Sequence, residues 1–219
     1  MLKDIKDNGI MKSYSEDSYP KKRPAGFWER LLCRDCEEKL QKLEDYAAHV
    51  LYGSKKFAPI NCQSLVSKDG ITYKECFNIH YTKFKVFLLS LIWRMSITTE
   101  DFFKEVDLGI HEEAMRMIIL NFDTLSSDKY PVLIMDIGSQ NKIIKGTMES
   151  PRRHRKSYKT YYSLKLSGFM YIFYITKDSI DESFLPLCIN ETEKLTIVNS
   201  SGYTTTKFLK ELKKASDKL

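Results

Sequence analysis

Residues 83–96 read KFKVFLLSLIWRMS, and they set the fold. Thr82 stands at the head of this stretch as a helix cap. Phe84, Phe87, Leu88, Leu91, Ile92, Trp93 and Met95 are spread round the helix axis. A helix with almost no polar face is buried on several sides. It is therefore the expected centre of the fold. Its longest apolar run, Val86–Trp93, falls far short of the ~20 residues that a membrane span needs, so no membrane association is expected.

Upstream, residues 31–51 read LLCRDCEEKLQKLEDYAAHVL, a Cys-x-x-Cys running into an amphipathic helix. Asp35 and Glu38 have capping-box spacing. Leu40, Leu43, Ala47, Val50 and Leu51 form one apolar stripe. Glu37, Glu38, Glu44, Asp45 and His49 lie off it, and Gly53 and Ser54 end the helix. Residues 1–30 are polar and broken by Pro20, Pro24 and Gly26. They read as an extended, weakly ordered arm with one helical turn at its start, and as sequence whose beginning once lay further upstream. Residues 54–80 read as irregular, with a short hairpin around Lys68, Asp69 and Gly70. After the central helix, Glu100 and Asp101 favour a short helix from Thr99 that Gly109 stops. His111–Leu120 reads as a third helix with Ala114, Met115 and Ile118 inward. Arg94 is expected to pair with Glu112 or Glu113, and Trp93 to lie in the core.

The character changes at Tyr130. VLIMDI, KIIKGTM, YYSLKLS, FMYIFYIT and KLTIV are short β-branched and aromatic runs separated by turn signals at Ser139–Asn141, Ser167–Gly168 and Asn190–Glu193. They predict an antiparallel sheet of about four or five strands. YYSLKLSGFMYIFYIT is its strongest hairpin. Thr205 or Thr206 then caps a last helix. The fold class is α+β: a half-knuckle and helices around a buried central helix, then an antiparallel sheet and a C-terminal helix. The expected segments are 1–53 (arm, knuckle and helix), 54–128 (helical core) and 129–219 (sheet and last helix), the last two forming one compact unit.

Composition narrows the function classes. The chain of 219 residues carries a formal net charge of +6, which permits nucleic-acid contact without demanding it. Five cysteines and no signal peptide fit a reduced, cytoplasmic chain better than a disulfide framework. There is no Gly-rich phosphate loop, no Ser-His-Asp order and no nucleotide fingerprint, so no organic cofactor is expected.

Two stretches carry candidate chemistry. Cys33 and Cys36 supply two zinc ligands at bite distance, and the helix start beside them favours thiolates. Cys76 and His80 have the spacing to complete a three-cysteine, one-histidine site. The alternative is two reduced thiols in a collapsed knuckle. Cys62 and Cys188 read as ordinary core or loop cysteines. The second stretch is PRRHRKSYK, residues 151–159. Its Arg152, Arg153, Arg155, Lys156 and Lys159 can meet phosphates, and Tyr158 can stack on bases. Tyr161 is nearby, and Lys21, Lys22 and Arg23 would add to this surface if they fold close to it. The alternative is a solvated β-loop.

LLCRDCEEKLQKLEDY, YTKFKVFLLSLIWRMSIT and LGIHEEAMRMIIL, in that order, resemble blocks of a group of uncharacterised bacterial proteins with a zinc-knuckle, HNH-endonuclease-like N-terminus. In such proteins a first Cys-x-x-Cys and a Ser-His-x-x-Pro type segment precede the block ending here in Cys33 and Cys36. The chain resembles a truncated or degenerate member without them. The resemblance implies a nucleic-acid-binding protein of nuclease ancestry, catalytically inactive in this chain, in bacterial defence or a mobile element. The general-base histidine of such nucleases has no counterpart in residues 1–32. Asp45 and His49, one turn apart, are the remaining catalytic candidates, against the reading of Glu38, Asp45 and His49 as a solvated face. Two rivals stand beside the DNA- or RNA-binding reading: a non-enzymatic module for a protein partner, and an active metal-dependent nuclease.

Overall fold

The computed structural model describes residues 11–15, 18–23, 27, 29–53, 57–68, 70–139, 146–156, 159–176, 180 and 182–200. Three helices, α1 (Arg34–Tyr52), α2 (Tyr81–Ile97) and α3 (His111–Asn121), accompany one ten-stranded sheet. The strands are β1 (Met11–Ser15), β2 (Ser18–Arg23), β3 (Asn61–Val66), β4 (Thr72–Phe77) and β5 (Val132–Asp136). They continue with β6 (Thr147–Glu149), β7 (Arg152–Lys156), β8 (Lys159–Leu166), β9 (Phe169–Tyr174) and β10 (Leu195–Asn199). Their order across the sheet is β2-β1-β6-β8-β9-β5-β10-β4-β3, with β7 also on β8. The α+β class is as the sequence indicates. The sheet is wider than four or five strands, and two of its pairings, β1 with β6 and β5 with β10, are parallel.

α2 is the centre of the helical layer. Thirteen of its 17 residues are buried, as its all-round apolar pattern requires. α1 packs on it through Leu40, Leu43, Ala47 and Val50. α3 adds Met115, Ile118 and Ile119, while Ala114 faces solvent instead of the core. These helices share one core with Val132 and Ile134 of β5, Tyr162 and Leu164 of β8, and Phe169, Tyr171 and Phe173 of β9. The alternate residues Leu133, Met135, Met170, Ile172 and Tyr174 form a second cluster on the opposite sheet face. There they meet Phe184, Leu185 and Leu187 from a 3-10 turn at Glu182–Leu187. β5 and β9 are thus central strands covered on both faces, which explains their unbroken apolar runs.

Several expectations are corrected. The N-terminal arm contains a hairpin: β1 pairs antiparallel with β2, and Lys12–Tyr14 pair with Thr147–Glu149. Pro20 sits in the outermost strand, the kind of position to which proline in a sheet is confined. β3 and β4 pair as an antiparallel hairpin whose β4 joins β10, so the strands among the described residues come from both halves of the chain. The short helix at Thr99 is only a 3-10 turn, Asp101–Phe103. The helical turn placed at the chain start and the last helix from Thr205 or Thr206 lie outside the described residues. No helix among the described residues is long and apolar enough to cross a membrane.

Candidate nucleic-acid interface and thiol site

Within the basic run Arg152–Lys156 form a strand, β7, and Lys159 begins the next, β8. β7 lies antiparallel on β8, with Arg153 opposite Tyr162 and Arg155 opposite Thr160. β6 occupies the same side of β8 further along, and Met148 faces Leu166. The register slips by one residue between these pairs, at Ser150–Pro151, so β6 and β7 form one interrupted strand.

The strand divides the run between two faces. Arg153 crosses to the helical side, where its Nη1 lies 3.3 Å from Asp107 Oδ2. Its guanidinium carbon is 5.9 Å from the Tyr162 ring centroid. Its backbone N–H donates to Glu105 Oε2 at 2.8 Å. Arg152 goes to the other face and meets Glu149 at 3.3 Å, and Lys165 meets the same carboxylate at 2.7 Å. His154 stacks on Tyr161 with centroids 4.6 Å apart and planes at 11°. The His154 ring also hydrogen-bonds Ser163 Oγ at 2.8 Å. Burial, and then the Arg152 charge, pull the His154 pKa down, so the ring favours its neutral form. Arg155 is exposed and Lys159 half-exposed. Tyr158 lies outside the described residues, and Lys156 is placed by its backbone in β7.

Strand order brings further cations to this end. Lys21, Lys22 and Arg23 lie on β2, opposite Ser13, Lys12 and Met11 of β1, and β1 in turn lies on β6. The five strands β2, β1, β6, β7 and β8 carry ten Lys and Arg against one acid, Glu149, a net of +9. The other five carry Lys74, Glu75 and Asp136, a net of −1. The whole chain has only +6. The sheet is therefore electrostatically polarised along its width. Sequence order hides this, because the β1–β2 hairpin and β7 are more than a hundred residues apart.

The metal candidates do not converge. Cys76 is joined to Cys62 in a disulfide across the β3–β4 hairpin, which removes Cys76 as a thiolate ligand and departs from the expectation of wholly reduced thiols. His80 is the residue before α2, and its backbone N–H donates to Tyr46 Oη at 2.7 Å. No group of three or more His, Cys, Asp or Glu among the described residues is placed to hold a metal ion. Cys33 and Cys36 are free thiols, Cys33 exposed and at the N-cap of α1, Cys36 half-buried in its first turn. The capping residue is thus Cys33 and not Asp35. The Cys36 backbone N–H and then its thiol stabilise a Cys33 thiolate and lower the Cys33 pKa. The Cys33 sulfur raises that of Cys36.

The catalytic candidates on α1 have different surroundings. Asp45 is half-buried and accepts from Gln41 Nε2 at 3.0 Å. His49 is not solvated: it is 3% exposed, with its ring 4.9 Å from that of Phe57. Glu38 does face solvent, 3.0 Å from Arg34. Arg94 pairs with Glu44 of α1 at 2.7 Å rather than with Glu112 or Glu113. Glu112 accepts from Ser96 Oγ at 2.5 Å, and Glu113 from Arg116 at 2.7 Å. Trp93 is in the core as expected.

No protein-family model, curated protein or solved structure matches this chain.

Proposed function

We propose that this protein binds nucleic acid along the basic half of its sheet. The observation that carries this reading is the polarisation of the sheet, a net of +9 on five adjacent strands against −1 on the other five. A stripe of that density attracts a polyanion and releases its counterions. His154 and Tyr161, stacked on the face away from the helices, offer a π-surface beside the cations, as single-strand binders do. Asp45 and His49 supply no reaction centre in this reading, which is one of binding, in a protein of nuclease ancestry.

The test is a salt titration of binding to labelled single-stranded and duplex oligonucleotides. Affinity should fall steeply with salt. Each phosphate that the protein no longer neutralises should reduce the log–log slope by about 0.7 to 0.9. Arg155→Ala with Lys159→Ala should therefore flatten the slope by between one and two. No binding at low salt to either oligonucleotide would overturn the proposal.

A second reading, a module for a protein partner, is favoured by one observation. A groove of about 590 Å³ runs between α1 and α3, lined by Leu40, Leu43, Phe57, Ile119, Leu120 and Phe122 and flanked by Lys39, Lys42 and Lys83. Phe57, Leu120 and Phe122 are each about 40% exposed. Binding to oligonucleotides that Leu120→Glu leaves intact would separate the groove from the basic strands.

A further inference from the structure

The Cys33–Cys36 pair belongs to neither reading above, and its surroundings are those of a reactive dithiol. Cys33 stands at the N-cap of a 19-residue helix. There the free backbone N–H groups and the helix dipole favour a negative sulfur. Cys36 follows three residues on, in the first turn of the same helix, a spacing that puts the two side chains on one face. The two thiols differ in access, Cys33 exposed and Cys36 half-buried.

A second, independent feature lies beside them. Cys33 is on the wall of a cleft of about 710 Å³. Its lining includes Phe27 and Phe103, in ring contact at 4.7 Å, with Leu31 and Leu32, beside the charged Arg34, Glu37 and Glu38. The Arg94 side chain, 4% exposed, also reaches the cleft. Glu29 also lines the cleft, and its carboxylate accepts hydrogen bonds from the Thr99 backbone N–H at 3.1 Å and the Thr99 hydroxyl at 2.8 Å. A thiol on the wall of an open cleft lined by aromatic and charged side chains can meet a substrate, which a thiol on a bare helix end cannot position. The third free thiol, Cys188, is buried beneath the sheet and is inert by comparison.

We propose that Cys33 and Cys36 form a redox-active pair that reduces disulfides presented in this cleft. The Cys33 thiolate attacks one sulfur of the substrate disulfide. The substrate S–S bond breaks, a Cys33–substrate mixed disulfide forms, and the other substrate sulfur leaves with the bonding pair and takes a proton from water. Cys36 then gives up its proton to water and attacks Cys33 Sγ. The mixed disulfide breaks and the second substrate thiol leaves. The pair is oxidised to a Cys33–Cys36 disulfide, and the substrate disulfide is reduced to two thiols by the same two electrons. Cys33 is the attacking sulfur because it is the exposed one, and Cys36 resolves.

The full-length chain, reduced and freed of reductant, is mixed with oxidised glutathione under argon, and the products are mapped by peptide mass spectrometry. This reads Cys33–Cys36 apart from Cys62–Cys76. The native chain should release two glutathione thiols for each disulfide formed, counted over Cys33–Cys36 and the re-formed Cys62–Cys76 together. Cys36→Ser should stop with glutathione on Cys33, and Cys33→Ser should react at least tenfold more slowly. A measurement needing no variant accompanies it: iodoacetamide at neutral pH should label Cys33 of the native chain well before Cys36. Glutathione trapped on Cys36, equal rates for Cys33→Ser and native chain, or a stoichiometric zinc ion on the two sulfurs that blocks the reaction would each overturn the proposal.

Discussion

Arg94 Nη2 lies 2.7 Å from Glu44 Oε1, with the two side chains 4% and 5% exposed, so a buried ion pair joins α2 to α1. Arg94 also donates from Nε to the Ser90 carbonyl at 3.1 Å, which fixes the guanidinium against its own helix. Two charges removed from water at this depth recover their desolvation cost only while both are present.

Removing one partner should therefore be costly. Glu44→Leu is expected to destabilise the fold by about 3–5 kcal/mol, because the guanidinium is left buried without its carboxylate. Glu44→Leu with Arg94→Met should recover most of that loss. Urea unfolding would show this as a midpoint that falls in the single variant and returns in the double, at an unchanged slope. A double variant no more stable than the single would mean that the pair adds nothing specific.

Lys85 is a second buried charge on α2. It is 1% exposed, and its Nζ donates to the Tyr130 carbonyl at 2.7 Å. Burial pulls its pKa down from 10.5 to about 8. The unfolded chain holds this proton more tightly than the folded one, so stability should rise with pH between about 8 and 10.5. Cys188 acts in the opposite sense. Burial raises its pKa from 9.0 to about 12, so the unfolded thiol ionises first and stability falls above about pH 9. The net rise is confined to roughly pH 8–9, where it amounts to no more than about 1.4 kcal/mol. Unfolding midpoints at pH 7, 8, 9, 10 and 11 should trace that rise, a plateau between about pH 9 and 10.5 where the two contributions cancel, and a fall above it. Lys85→Met should abolish the rise and keep the later fall.

These two residues also show where the sequence stops being informative. The central helix, the stripe of α1 and the Ser167–Gly168 turn were all legible, because periodicity and turn chemistry are local. Glu44 reads as a solvent-facing acid until Arg94, fifty residues later, is folded against it. Lys85 is invisible within an apolar run. The β1–β2 hairpin is polar and lacks alternation. It is held by long-range pairing of Lys12–Tyr14 with Thr147–Glu149, which no local signal announces. The basic run was evident, but its division between two sheet faces follows only from register, and the Cys62–Cys76 partnership only from the β3–β4 pairing.

The Ser167–Gly168 turn should be intolerant of change. Leu166 pairs with Phe169, and Ser167 and Gly168 have φ of 47° and 89°, the two left-handed residues of a tight hairpin turn. A Cβ on Gly168 would lie 2.4 Å from Ser139 Cα and 2.7 Å from Ser139 N, both backbone atoms. Gly70 has a similar φ, 78°, but open space around it. Gly70→Ala should cost about 1–2 kcal/mol, the strain of a left-handed alanine alone. Gly168→Ala should cost clearly more, and thermal unfolding of the pair of variants isolates the steric part. Equal losses would show that Ser139 moves aside freely.

The Cys62–Cys76 disulfide closes a 14-residue separation across the β3–β4 hairpin, at the far edge of the sheet from the basic strands. β3 is largely exposed and, among the described strands, has only β4 as neighbour, so little burial holds it in place. Cross-linking a loop of this length removes unfolded-state entropy worth about 3 kcal/mol. Cys76 itself is buried and pairs with Leu195 of β10, so its side of the hairpin is anchored without the bond. Reduction should therefore lower the unfolding midpoint by about 2–3 kcal/mol equivalent and free residues 61–66 to hydrogen exchange, while β4 stays protected. Cys62→Ser should reproduce the reduced protein and show no further response to reductant. Cys33→Ser should keep the full response, which assigns the effect to the hairpin and not to the thiols on α1. An unchanged midpoint after reduction, with both thiols alkylated to prove the bond open, would mean that burial and strand pairing alone fix this edge.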